Sequence, residues 1–181
     1  MTIYTTTPTN LSSRTEMEQR SFALLDELNI SYTYVDHAPA LTMEDCGAID
    51  EVLGVKMCKN LVLCNRQKTD YYLLLMPGDK VFKTKELSAQ INAARLSFAS
   101  GEAMEELLGV LPGSASVLGL LKDTDGKVRL LIDKDLLHEE YFGCHPCKNT
   151  SSLRITTKDL LDLVLPHMGH AYTAVELKGE E

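Results

Sequence analysis

Val55-Lys56-Met57-Cys58-Lys59-Asn60-Leu61-Val62-Leu63-Cys64, followed after a polar connection by Tyr71-Tyr72-Leu73-Leu74-Leu75-Met76, is the stretch on which the fold turns. Both runs read as β-strands, and the polar Asn65–Asp70 link makes them a hairpin. Side chains alternate faces along a strand, so Val55, Met57, Lys59, Leu61 and Leu63 share one face. Lys59 is the one charge among them. An ammonium on an apolar face loses hydration, which costs several kcal/mol unless it is paired or deprotonated. Two readings stay open from this segment alone. Lys59 is a snorkelling lysine at a strand end, or a lysine held in a pocket to meet an anion or a developing negative charge.

Around this hairpin the chain mixes helix and strand without a regular βαβ alternation. Residues 1–12 read as a loose tail. Ser13 is placed to cap a helix over 14–29, with Met17, Phe22, Leu24, Leu25 and Leu28 as its apolar stripe. Ser31–Asp36 reads as a short strand. Thr42-Met43-Glu44-Asp45 resembles a capping box and opens a helix that Gly54 ends. Met43 and Met57 read as core or pocket wall. Helices are expected over 83–91 and 100–108, and a short strand over 95–98. Val117–Lys122 and Lys127–Asp133 read as strands joined by an Asp123-Thr124-Asp125-Gly126 hairpin turn. Tyr141–Cys144 and Ser151–Ile155 are expected as strands, and Thr156 or Thr157 caps a last helix. The segment from Gly169 to Glu181 reads as a frayed tail. The pattern predicts an α+β fold with a mixed or mainly antiparallel sheet, as a single domain over 1–181.

Composition narrows the function. The chain has 181 residues, 44% hydrophobic and 24% charged, with a formal net charge of −8. That charge argues against coating nucleic acid by bulk electrostatics, and against DNA as a partner, but leaves room for a local basic patch on one end of an RNA. Met1–Asn10 has neither a basic start nor an apolar h-region, so no secretory signal is expected. No apolar run approaches the length of a membrane span. Five scattered cysteines favour reduced thiols and a cytoplasmic setting.

Two loops add candidate chemistry. In Leu111-Pro112-Gly113-Ser114-Ala115-Ser116-Val117-Leu118-Gly119, small residues bring backbone N–H groups close to a ligand, or simply form a turn before a strand. In Gly143-Cys144-His145-Pro146-Cys147-Lys148-Asn149-Thr150, the His-Pro pair reads as a fixed imidazole or a plain turn. Cys144 and Cys147 form a C-x-x-C motif, but it lacks the strand-to-helix βαβ frame of a redox pair. No second C-x-x-C completes a zinc site, so no metal and no cofactor are expected. His167 and His170 are expected to be solvated.

Taken with Leu75-Met76-Pro77-Gly78-Asp79-Lys80, Arg95-Leu96-Ser97-Phe98-Ala99-Ser100 and Asp133-Lys134-Asp135-Leu136-Leu137, the Lys59-Asn60 strand and both loops resemble the YbaK/prolyl-tRNA synthetase-associated domain family. The likeness covers about residues 14–166 and is nearest the freestanding alanyl-tRNA(Pro) deacylase branch. It implies a barrel-like core with flanking helices and a trans-editing hydrolase that cleaves the ester of mischarged tRNA(Pro), foremost Ala-tRNA(Pro). Prolyl-tRNA synthetase cannot fully exclude a smaller amino acid, since a missing methylene is worth only about 1–3 kcal/mol. Lys59 matches the family's active-site lysine, placed at the phosphate or ribose end of the substrate, and Asn60 its neighbouring asparagine. Gly113, Ser114, Ser116 and Gly119 match the substrate loop, and Gly143, His145 and Asn149 the second pocket loop. The implied partners are the acceptor end of tRNA(Pro) and, as a docking partner, prolyl-tRNA synthetase. No Ser-His-Asp arrangement is evident, so water attack is expected, helped by the ribose hydroxyl as proposed for the family. Val117 and Leu118 stand where the family often has Pro-Phe, and Cys147-Lys148-Asn149 where it usually has Asn-Asp-Asn. These departures leave two alternatives: a deacylase for Cys-tRNA(Pro) or another small aminoacyl-tRNA, and a non-catalytic RNA- or protein-binding module of the same fold.

Overall fold

The computed structural model describes residues 1–179; Glu180, Glu181 and the Met43 side chain lie outside the described residues. A 3-10 turn, Leu11–Ser13, precedes helix α1, Glu16–Glu27. Thr15 rather than Ser13 caps α1, because Glu18 at the third helical position completes a reciprocal capping box with it. Strand β1, Thr33–Asp36, leads to helix α2, Met43–Leu53, which starts in the expected Thr42–Asp45 box and ends at Gly54 with φ 70°. The segment 1–12 is not a loose tail throughout. Tyr4 exchanges two 2.9 Å backbone hydrogen bonds with Tyr34 and stacks on its ring.

Strands β2, Lys59–Asn65, and β3, Tyr71–Met76, form the expected antiparallel hairpin, with Lys59 opposite Met76. Strand pairing begins at Lys59. Upstream, Met57 makes one parallel bridge to Gly143. Helix α3, Thr84–Ile91, strand β4, Leu96–Phe98, and helix α4, Gly101–Leu108, follow. Strand β5, Val128–Asp133, the one-turn helix α5, Lys134–Leu137, and strands β6, Tyr141–Cys144, and β7, Ser151–Thr156, come next. Thr156 caps a closing helical stretch made of α6, Thr157–Asp159, a π turn, Leu160–Val164, and α7, Leu165–His167. Strand β8, Tyr172–Val175, ends the ordered pairing.

Two sheets result. One, in the order β1-β7-β6, is antiparallel throughout; the other runs β4-β2-β3-β5-β8, with β3–β5 and β5–β8 parallel. The α+β expectation with a mixed sheet therefore holds. The larger sheet is buried on both faces, which is why β3 reads as a continuous apolar run. Val62, Leu73, Leu75, Leu130 and Ile132 enter the main core, shared with α1 and the smaller sheet. Leu63, Tyr72, Leu74, Met76 and Leu131 enter a second core under α3.

Three expectations fail here. Val117–Leu121 is a 3-10 turn and not a strand, started by Ser116, whose Oγ accepts the Leu118 N–H. The Asp123–Gly126 turn makes no hairpin. Asp123 accepts the N–H groups of Lys127 and Val128 at 2.9 and 2.8 Å, and this sends β5 into the sheet parallel to β3. The C-terminal tail is also not frayed over its described length: β8 pairs with β5, and Val175 and Leu177 are buried in the second core.

Arg14 binds Glu18, Asp36 and the Ser151 hydroxyl, tying α1 to β1 and β7. Burial raises the Asp36 pKa, but hydrogen bonds from Arg14 and Ser151 outweigh it and hold the carboxyl below its usual range. A depressed carboxyl pKa contributes stability that is present above the unfolded value of about 3.9 and is lost as pH falls through the lower folded value. In urea unfolding, the stability gap between wild type and Asp36→Asn is expected to be constant above about pH 4 and to close below it. Leu177→Ala is expected to cost about 2–5 kcal/mol in the same assay, where a frayed tail would give a change within about 0.5 kcal/mol.

Candidate functional site

Alternation divides the two residues at the start of β2. Lys59 lies on the face of Leu61 and Leu63, toward the second core, and its ammonium donates to the Lys80 carbonyl. Asn60 lies on the opposite face, with Cys58 and Val62, toward the main core. Its Nδ2 donates to the Cys58 carbonyl at 3.1 Å, and its Oδ1 is buried without a partner among the described residues. The free capacity of Asn60 is thus an acceptor.

The two glycine loops do meet. The Asn149 N–H donates to Ser114 Oγ at 3.0 Å, and Ser116 Oγ donates to the His145 carbonyl at 2.6 Å. A Cβ on Gly113 would lie 3.6 Å from the Asn149 amide nitrogen. Ser114 and Ser116 are 3% and 0% exposed, so both latch one loop to the other and neither presents its hydroxyl to solvent. Gly119 is needed for packing: a Cβ there would sit 2.9 Å from the Leu108 carbonyl oxygen. At Gly143 a Cβ would meet side chains instead, the Met57 sulfur at 2.8 Å and a Val55 methyl at 3.0 Å, beside the Met57–Gly143 bridge. His145 Nδ1 is 2.7 Å from the Ser151 carbonyl oxygen, which can only accept, so this nitrogen carries the proton. Burial is the main reason that the His145 pKa lies below its ordinary value, with the Ser151 hydrogen bond opposing and His37 adding to it. The hydrogen bond ties the His145 loop to the start of β7. Val117, where the family often has proline, is buried in the main core.

Three surface grooves take three of the expected residues separately, Gly143, Lys59 and Ser114, while Asn60, Gly113, Ser116, Gly119, His145 and Asn149 line none of the three. The largest, about 1120 Å³, is walled by Met57, Cys58, Gly143 and the Pro77–Lys80 turn, and six carboxylates, Asp50, Glu51, Asp79, Asp135, Glu139 and Glu140, line it against three lysines, Lys56, Lys80 and Lys178. A second, about 600 Å³, contains Lys59. A shallow third, about 300 Å³, contains Ser114 and Lys148. The start of β2 lies at the junction of the first two. Met57 and Cys58 wall the acidic groove, Lys59 lies in the second, and the Lys80 carbonyl it binds belongs to the turn between them. Met57 is therefore a groove wall. Phe82, Lys83 and Lys85 also line the second groove without having been singled out from the sequence, and Phe98 was quoted only within the Arg95–Ser100 segment. The available signal was Lys80-Val81-Phe82-Lys83-Thr84-Lys85, in which lysines alternate with an aromatic.

The cysteines do not form a reactive pair. Burial pushes the Cys58 and Cys147 thiols up to about 12 and lifts Cys144 well above its ordinary value. Thiol exchange needs the thiolate, which this burial disfavours. His170 is not solvated as expected: its Nε2 is 3.0 Å from the buried Asp123 carbonyl oxygen. No helix among the described residues is long and apolar enough to cross a membrane.

Comparison with known proteins fits this geometry. The aminoacyl-tRNA editing domain profile matches residues 37–163. The prolyl-tRNA editing protein ProX of Acetoanaerobium sticklandii is 31% identical over 162 residues, covering 90% of this chain and 98% of that protein. Prolyl-tRNA synthetase associated domain-containing protein 1 of Mus musculus is 32% identical over 156 residues, covering 83% and 89%. A crystal structure solved as a candidate trans-editing enzyme for prolyl tRNA synthetase shares the fold, with a TM-score of 0.69 at 18% identity, covering 92% of this chain and 99% of that one. With its hairpin, its two latched glycine loops and these full-length relatives, the chain belongs to the aminoacyl-tRNA editing domain family.

Proposed function

We propose that this protein is a trans-editing deacylase that hydrolyses the ester of mischarged tRNA(Pro), foremost Ala-tRNA(Pro). One observation carries the reading: the family's lysine, Lys59, lies where an acidic groove and a second, lysine-bearing groove meet. Water adds to the ester carbonyl, the bond to the ribose oxygen breaks, and a proton passes to that oxygen to release the free amino acid and the tRNA. Lys59 keeps two N–H donors besides the one on the Lys80 carbonyl, and they can hold a phosphate or the terminal ribose. The RNA partner is then the acceptor end of tRNA(Pro), and the synthetase that makes the error is a candidate docking partner.

The acidic groove as a whole is far larger than an alanyl group, so sorting by size has to act at the Met57–Gly143 bridge. There two backbones are held together and the walls give least. Forcing the larger prolyl group against such walls costs about 1–3 kcal/mol. Hydrolysis of Pro-tRNA(Pro) is expected to be roughly ten- to hundredfold slower than that of Ala-tRNA(Pro). Time courses with tRNA(Pro) charged with alanine, cysteine or proline check this, and equal rates for alanyl and prolyl esters exclude editing by size. Lys59→Ala is expected to abolish deacylation with an unchanged circular dichroism spectrum; wild-type rates in that variant would remove Lys59 from the mechanism.

A further inference from the structure

The second groove lies between the start of α3 and the edge of the larger sheet. Strand β4 pairs with β2 only over Leu63–Asn65, so Lys59 and Leu61 extend past it and form the floor. Phe82 and Phe98 stand over that floor, edge to face, with ring centroids 5.9 Å apart. Phe98 is 62% exposed. Every charged residue of the lining is a lysine: Lys59, Lys83 and Lys85. On a chain with a net charge of −8, and beside a groove whose six carboxylates outnumber its three lysines, such a patch is a local reversal of sign.

The bland explanation is edge protection, since lysines on an exposed strand edge discourage pairing with other chains. That accounts for the charges. It does not account for two phenyl rings set together at the same edge, which enlarge the exposed apolar area that edge protection exists to limit.

We propose that this groove binds the single-stranded 3′ end of the RNA, with a base stacked on Phe98 and Phe82 and the adjoining phosphates neutralised by Lys59, Lys83 and Lys85. The inference rests on the reading of the protein as a hydrolase of an RNA ester, and it deepens that reading by locating the nucleotides. Stacking on aromatic side chains beside a lysine track is how unpaired strands are held, because every base has a π-face and every linkage a charge. A duplex keeps its bases stacked on each other and offers no free face to the rings. At about 600 Å³ the groove is within the range of small-ligand sites, ~300–1,000 Å³. Charge also orients the substrate. The aminoacyl end of the ester carries an ammonium and suits the carboxylate-lined groove, while the nucleotides on the other side of the ester carry the phosphates and suit the lysines.

The test is fluorescence anisotropy with a labelled uncharged RNA hexamer ending in the tRNA 3′ sequence, across a salt series, with an acidic hexapeptide as competitor. Phe98→Ala is expected to weaken binding ~10-fold without changing the slope of log K against log salt. Lys83→Ala and Lys85→Ala are each expected to flatten that slope by about 0.7, the value for one phosphate contact on a single strand. Wild-type affinity and slope in all three variants would overturn the proposal, as would equal binding of the acidic peptide. In deacylation, Phe98→Ala and Lys85→Ala are expected to raise KM while kcat holds. An active enzyme whose KM ignores both changes sinks the groove assignment alone. An enzyme that binds the RNA through these residues yet cleaves no ester sinks only the deacylase reading.

Discussion

The rest of the structure depends on the burial of β3 on both faces. Tyr72, Leu74 and Met76 enter one core, and Leu73 and Leu75 the other. A slip of one residue against β2 or β5 would exchange every side chain between the two cores, so register is held by the whole apolar content of the sheet. β2 inherits that register from Lys59 opposite Met76 to Cys64 opposite Tyr71. Adjacent residues at its start are thereby committed to different environments. Lys59 is delivered to a surface groove and Asn60 to a buried niche beside Cys58, with no freedom to share a face.

The wall between the two larger grooves is held from the far end of the chain. Lys80 Nζ is 2.8 Å from both Asp133 and Asp135 and donates to the Leu177 carbonyl at 2.6 Å. Its own carbonyl receives the Lys59 ammonium. The C-terminal segment, which lies outside the part matched by the family profile, therefore bears on the position of Lys59. It also reaches α3, where Gln90 hydrogen-bonds both the N–H and the carbonyl of Glu176. The residues that follow β8 are thus tied by the Lys80 and Gln90 side chains to the turn between the two grooves and to α3.

The two glycine loops have a different character. Their serines are buried and consumed in holding one loop to the other, and Gly119 is required because a Cβ there would strike the Leu108 backbone. They shape and stiffen the region around Gly143. Rigid supports of this kind keep a reacting group in place more effectively than mobile ones.

By itself, the sequence determined the local elements whose signals are local. The Thr42–Asp45 box, the Gly54 stop, the caps at Ser100 and Thr156 and the β2–β3 hairpin are written in adjacent residues and were legible in them. So was Lys59, because one charge in an alternating apolar strand stands out without any tertiary information. The cap at Thr15 was also written locally, in Glu18, and was misplaced by two residues. Only the tertiary structure decided the rest. Val117–Leu121 carries strand-like residues yet folds as a 3-10 turn, because Gly119 must lie against Leu108. The parallel pairing of β5 with β3 and β8 joins segments with no turn between them, so no local pattern announces it. The groove of Phe82, Lys83, Lys85 and Phe98 exists only because β4 stops short of Lys59. Its residues come from separate segments, and neither spacing nor composition reveals that they share one surface.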